Sequence, residues 1–120
     1  DADVAGAAEA VAVRAAAHGR PAQVYCASNS GYVCGFDGPT GKRRFATFVG
    51  LPTTFVAAVP DGRVLAVAPT GEVFAITADG KLAGRSSVGS PITALLRPGD
   101  HRDANAVIIG TKDGRVLVME

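Results

Sequence analysis

Val64-Leu-Ala-Val-Ala-Pro-Thr-Gly71-Glu-Val-Phe-Ala-Ile76 is two short apolar runs joined by a Pro-Thr-Gly turn. Runs of this length, rich in β-branched and aromatic residues and bounded by proline and glycine, form an antiparallel hairpin, with the glycine supplying a positive φ. Arg63-Val-Leu-Ala-Val-Ala68 does not alternate polar with apolar. Both of its faces are apolar, which is the pattern of a strand with a neighbouring sheet on each side.

The same hairpin occurs twice more, as Val24-Tyr-Cys-Ala-Ser-Asn-Ser-Gly31-Tyr-Val-Cys-Gly-Phe36 and as Val107-Ile-Ile-Gly-Thr-Lys-Asp-Gly114-Arg-Val-Leu-Val-Met119. The turn glycines Gly31, Gly71 and Gly114 stand 40 and 43 positions apart, each followed two residues later by valine (Val33, Val73 and Val116). A small apolar segment precedes each hairpin, introduced by Gly6, Gly50 or Gly89, and length differences between repeats fall in the loops around His18-Gly-Arg-Pro21 and Pro98–Asn105. Length variation confined to a loop is what a repeat fold tolerates. In the second repeat, strands are expected over 53–59, 63–68, 72–78 and 81–88, linked by Pro60-Asp61-Gly62, Pro69-Thr70-Gly71 and Asp79-Gly80. Four short strands per repeat of about forty residues select an all-β fold of β-propeller blades. The expectation is three four-stranded antiparallel repeats at 5–48, 49–88 and 89–120, the last one incomplete. The alanine-rich stretch 7–17 would also suit a helix, but the aligned segments carry Thr53-Thr-Phe-Val56 and Ile92-Thr93, which favour strand.

Gly31-Tyr-Val-Cys-Gly-Phe-Asp-Gly-Pro-Thr-Gly-Lys42 resembles the repeat of quinoprotein-type propellers, in which a glycine and a strand lead to a turn, Thr-Gly-Lys and then tryptophan. Gly71–Lys81 is a looser copy, and Lys112–Met119 matches the start of one. WD-repeat propellers share much of this pattern. The resemblance implies the scaffold. It gives no support to the redox chemistry of quinone-dependent dehydrogenases, which are known for a vicinal cysteine pair, a stacking tryptophan and a calcium site. Here Phe45 stands where the tryptophan would be, the chain has no tryptophan, and Cys26 and Cys34 are eight apart. No cofactor is therefore expected. Propellers of this kind also serve as non-catalytic modules in outer-membrane assembly factors, acyl-activating enzymes and trafficking complexes.

Composition narrows the function further. The 120 residues are 48% hydrophobic and 19% charged, which is a globular balance. Twelve basic against eleven acidic residues leave a net charge of +1, giving no electrostatic reason for a nucleic-acid partner or an anionic membrane. No apolar run reaches the length of about 20 residues that a membrane helix needs. The sequence opens Asp1-Ala2-Asp3 without a basic leader and assigns the chain to no compartment.

Several residues qualify as candidate sites. A three-residue loop at Asn29-Ser30-Gly31 places Cys26 directly opposite Cys34 on one face of the hairpin. They read first as two buried thiols, with a cross-strand disulfide as the alternative and metal binding as a third reading for which two ligands fall short. His18 and Arg20 share one long loop and His101 and Arg102 the corresponding loop of the third repeat, so the four could form a partner-facing rim or be plain solvated loop residues. Asp100, Asp103 and Asn105 lack the spacing of a calcium loop. Lys42-Arg43-Arg44 reads as a solvated outer strand or a dock for an acidic partner. Asp37–Lys42 looks like a phosphate loop, but no helix follows it and the P-loop signature is absent.

Propellers typically close with four to eight blades, so three blades are expected to be a fragment of a longer propeller, a homodimer that closes a six-bladed ring with Asp1–Val4 completing the partner's last blade, or a unit capped by another subunit. The functional expectation is a non-catalytic protein-interaction scaffold whose partners are other protein subunits or the remainder of the propeller. The alternative is a fragment of an enzyme carrying such a propeller, either a quinone-dependent dehydrogenase or the accessory propeller of an acyl-activating enzyme.

Overall fold

The computed structural model describes residues 8–14, 19, 21–59, 62–96 and 107–119. Eleven strands are formed by these residues: β1 (Ala8–Arg14), β2 (Gln23–Ser28), β3 (Tyr32–Asp37), β4 (Arg43–Phe48), β5 (Phe55–Ala58), β6 (Val64–Val67), β7 (Glu72–Ile76), β8 (Leu82–Ser87), β9 (Ile92–Leu96), β10 (Val107–Thr111) and β11 (Val116–Met119). They make three antiparallel meanders, ordered β1-β2-β3-β4, β5-β6-β7-β8 and β9-β10-β11. These are blades 1, 2 and 3. The alanine-rich opening is strand over Ala8–Arg14, not helix. The first strands β1, β5 and β9 lie next to one another, so the blades fan outward from one side.

The strands of blade 2 are shorter than the sequence suggests, because the chain exchanges ladder bonds for turn bonds at their ends. The Thr77 amide donates to the Lys81 carbonyl at 2.8 Å and the Lys81 amide to Thr77 Oγ1 at 3.0 Å, closing the β7–β8 turn. The Thr111–Arg115 turn between β10 and β11 has the same plan, with its two bonds at 3.0 and 3.1 Å. In each, the threonine hydroxyl also donates to the aspartate two residues on, Asp79 or Asp113. That bond is the main cause that holds both carboxyls below the ordinary value of 3.8.

Burial explains the two-sided apolar pattern. In blade 2, Val56, Ala58, Val64, Ala66, Phe74 and Ile76 face blade 1, where Tyr25, Ala27 and Val33 meet them. The alternate residues Ala57, Val59, Leu65, Val67 and Val73 face blade 3 and meet Ile92, Val107 and Ile109. Every residue of β6 is buried. The outer strand β8 is exposed at all six positions.

Polar bonds fix one blade against the next. Arg14, at the end of β1, donates through Nη2 to the Arg63 carbonyl at 3.0 Å, through Nη1 to the Val59 carbonyl, and through Nε to the Tyr25 hydroxyl at 3.2 Å. Its guanidinium also lies over the Tyr25 ring, 5.6 Å from the centroid. Thr47 of β4 donates to the Gly80 carbonyl of blade 2. From blade 3, Arg115 Nη2 donates to the Val88 carbonyl at 2.6 Å while its Nε holds Asp113 at 2.9 Å.

Candidate interaction surface

Alternation along each strand gives every blade two faces, and one face of each end blade is left open. Val11 and Val13 of β1 point away from blade 2, opposite Cys26 and Val24, and are 59% and 63% exposed. Phe48 of β4 is 61% exposed on that side, its ring 5.1 Å from Tyr32. At the other end Val116 and Val118 of β11 point away from blade 2 and are 72% and 56% exposed. Among the described residues, five of the six exposed large hydrophobic side chains therefore lie on the open faces of the end blades, the sixth being Leu82 on β8. Scattered exposed apolar residues are ordinary, but residues gathered on one sheet face mark a contact surface.

Cys26 and Cys34 are direct partners across β2 and β3. Both are thiols, Cys26 half-buried and Cys34 buried. Burial, and secondly the charge of a Cys34 thiolate, pushes the Cys26 thiol above the ordinary 9.0. This is the opposite of the activation a nucleophilic cysteine needs. Gly31, Gly71 and Gly114 all adopt positive φ in their turns. Arg43 and Arg44 are exposed on β4, where charged side chains protect a sheet edge from pairing. His18, Arg20, His101, Arg102, Asp100, Asp103 and Asn105 lie outside the described residues. Among the described residues, no three His, Cys, Asp or Glu side chains gather as metal ligands, and no helix is long and apolar enough to cross a membrane.

Two features escape sequence reading. Phe45 packs between blades 1 and 2 with its ring centroid 6.2 Å from that of Tyr25. On blade 2, a cavity of about 290 Å³ opens over Gly84. The signal for the first was present, since Phe45 was already seen to replace the tryptophan of related repeats. The second could have been found by aligning β4 with β8, which sets Gly84 where Phe45 stands.

Comparison with solved structures decides the architecture. BBS1N, in a crystal with ARL6DN, superimposes with a TM-score of 0.80 at 17% identity, over 97% of this chain and 38% of that one. The chain has the β-propeller fold. The Saccharomyces cerevisiae protein Sqt1 matches with a TM-score of 0.73 at 16% identity, over 94% of this chain and 31% of its own. The WD40 β-propeller domain of Doa1 matches with a TM-score of 0.66 at 16% identity, over 82% and 33%. This chain thus spans about a third of the length of the propellers it resembles. No protein-family model and no curated protein sequence matches it.

Proposed function

We propose that these three blades are a non-catalytic protein-interaction module belonging to a larger propeller. The observation that carries this reading is the pair of open apolar faces, Val11 and Val13 at one end and Val116 and Val118 at the other. They are built like the faces that blades 1, 2 and 3 already bury against one another. Covering one valine contributes about 1.5–3 kcal/mol, so a further blade on each face would add stability of the order of a small domain's whole reserve. BBS1N, one of the similar structures, was crystallised in complex with ARL6DN, and a protein partner is the corresponding proposal here. The finer assignment to quinoprotein-type repeats rests on the Gly31–Lys42 segment and its looser copies at Gly71–Lys81 and Lys112–Met119. It extends to the blade pattern and not to the dehydrogenase chemistry, since Cys26 and Cys34 face each other across two strands. A homodimer closing a six-bladed ring is the form of the same proposal in which a second copy supplies the missing blades.

Light scattering on a sizing column, with circular dichroism on the same peak, tests the proposal. The chain is expected to self-associate, and Val11→Asp with Val116→Asp to abolish this while the β-sheet signal remains. A discrete dimer supports ring closure by a second copy, and larger species support blades supplied from a longer chain. A wild-type chain that is a stable, monodisperse monomer would overturn the reading.

A further inference from the structure

Most described arginines are engaged by the fold. Arg14 holds two carbonyls and the Tyr25 hydroxyl, Arg85 holds Glu72, and Arg115 holds Asp113 and the Val88 carbonyl. Lys42, Arg43 and Arg44 stand apart from these. All three are exposed where the outer strand β4 begins. Among the described residues, none of their side chains takes part in a hydrogen bond or an ion pair. Three like charges so gathered, within about 7 Å of extended chain, repel one another and gain nothing from the fold in return.

Guarding the sheet edge does not account for them, because β8 is an outer strand of the same kind and forms without them. Register puts Arg43 opposite Phe36 and Phe45 opposite Gly35, as it puts Leu82 opposite Ile76 and Gly84 opposite Ala75, with a register shift at the same step in both. Leu82 and Ala83 therefore hold in β8 the places of Arg43 and Arg44 in β4. Blades stack on one another's faces, so β4 stays outermost in its blade, and its edge open, whatever lies beyond blade 1 or blade 3.

The surroundings set the length of the basic run. Asp37 lies opposite Lys42, its amide donating to the Lys42 carbonyl at 2.8 Å. Its carboxylate is held within the turn, accepting from Thr40 Oγ1 at 2.6 Å and Thr40 N at 3.3 Å. Across the junction Gly80 lies against Phe45, and beside it Lys81 and Asp79 offset each other. The unopposed positive surface is thus three residues long, with a carboxylate on either side. A nucleic-acid backbone calls for a longer basic stripe and would meet both carboxylates. A few consecutive carboxylates fit the run as it stands.

We propose that Lys42, Arg43 and Arg44 form a docking site for a short acidic segment of a partner protein, laid along the outer strand β4. This rests on the interaction-module reading and names the chemistry of the partner. Each guanidinium presents a planar fork that a carboxylate fills with two parallel bonds, and Lys42 adds a point charge. The same charges that keep neutral and basic strands off this edge admit an acidic one, so the guard becomes the source of selectivity.

The probe is a rhodamine-labelled peptide, acetyl-Glu-Asp-Glu-Glu-Asp-Glu-amide. Anisotropy titration with the full 120-residue chain is expected to show saturable binding that weakens as salt is raised. The triple variant Lys42→Gln, Arg43→Gln, Arg44→Gln removes only exposed charges, and is expected to bind about tenfold more weakly or worse with its circular dichroism unchanged. A control variant, Lys81→Gln with Lys112→Gln, removes exposed charges elsewhere and is expected to bind as the wild type does. The peptide with every Glu and Asp replaced by Gln and Asn is expected to lose about tenfold or more on the wild-type chain, a result that needs no variant to fold. Absence of binding, equal binding by the triple variant or the amide peptide, an equal loss in the control variant, or tighter binding of a labelled oligothymidylate of the same length overturns the inference. If self-association through Val11 and Val116 persists in that case, the interaction-module reading stands without it.

Discussion

Gly71 and Gly114 hold the same place in the repeat, and substituting each with alanine should expose how different their surroundings are. Both adopt positive φ, 109° and 89°. An L-residue there costs about 1–2 kcal/mol, and that is the whole cost at Gly114, where an added Cβ meets nothing within 4 Å. At Gly71 the Cβ would lie 2.4 Å from the Ser90 carbonyl oxygen. That oxygen is main chain, and the segment that carries it is pinned. Ile92 N donates to the Pro69 carbonyl at 3.1 Å, Lys112 N to the Pro91 carbonyl at 2.8 Å, and Val88 N to the Gly71 carbonyl at 2.9 Å. The carbonyl can move only by loosening the blade 2–blade 3 junction, which raises the cost of Gly71→Ala to about 3 kcal/mol or more. With a urea m-value of about 1.5 kcal/mol/M, the unfolding midpoint should fall by about 1 M for Gly114→Ala and about 2 M or more for Gly71→Ala. Urea titration followed by far-ultraviolet circular dichroism measures both. Equal shifts, or a larger one for Gly114→Ala, would refute the reasoning.

Two other substitutions test the inter-blade bonds and the thiol pair. Arg14→Met should keep the apolar stem but remove the guanidinium bonds to the Val59 and Arg63 carbonyls, which retain only their turn bonds from the Gly62 and Val59 amides, costing about 1 kcal/mol in the same titration. Arg14→Lys should recover less than half of this, because one ammonium cannot reproduce the guanidinium fork, and a lysine variant equal to wild type would count against the assignment. Cys26 should alkylate with iodoacetamide at pH 8 more slowly in the folded chain than in urea, since burial and Cys34 raise its folded pKa above 9.0. The same shift makes its contribution to stability present below the unfolded value and lost as pH rises through the folded one. Folded-state alkylation as fast as in urea would contradict it.

The blades were legible in the sequence because their cause is local. Glycine at a turn and valine two residues later fix a hairpin without help from elsewhere, and the three-residue loop at Asn29–Gly31 alone sets Cys26 across from Cys34. Contacts between blades were not legible. Arg14 ends an alanine-valine run and looks like any strand terminus, and the carbonyls it meets lie 45 and 49 residues away. Gly80 looks like an ordinary turn glycine until Phe45 is seen to lie against it. The Thr-x-Asp-Gly-Lys/Arg turns at 77–81 and 111–115 were readable as one device, but they occupy different joints of their blades, β7–β8 and β10–β11, so a strict repeat alignment hides their likeness.

The burial of β6 on both faces bears on how such a chain can diverge. Val64, Leu65, Ala66 and Val67 have no solvent side on which neutral change can accumulate, and each substitution must satisfy the neighbour that its own face meets. Strand β8, open at every residue, is under no such double constraint. In a saturation library selected only for folding, tolerated variation should collect along the rim of the fan and thin toward its middle. Drift at the rim would then leave the fan's hub unaltered while the surface shown to other molecules is rewritten.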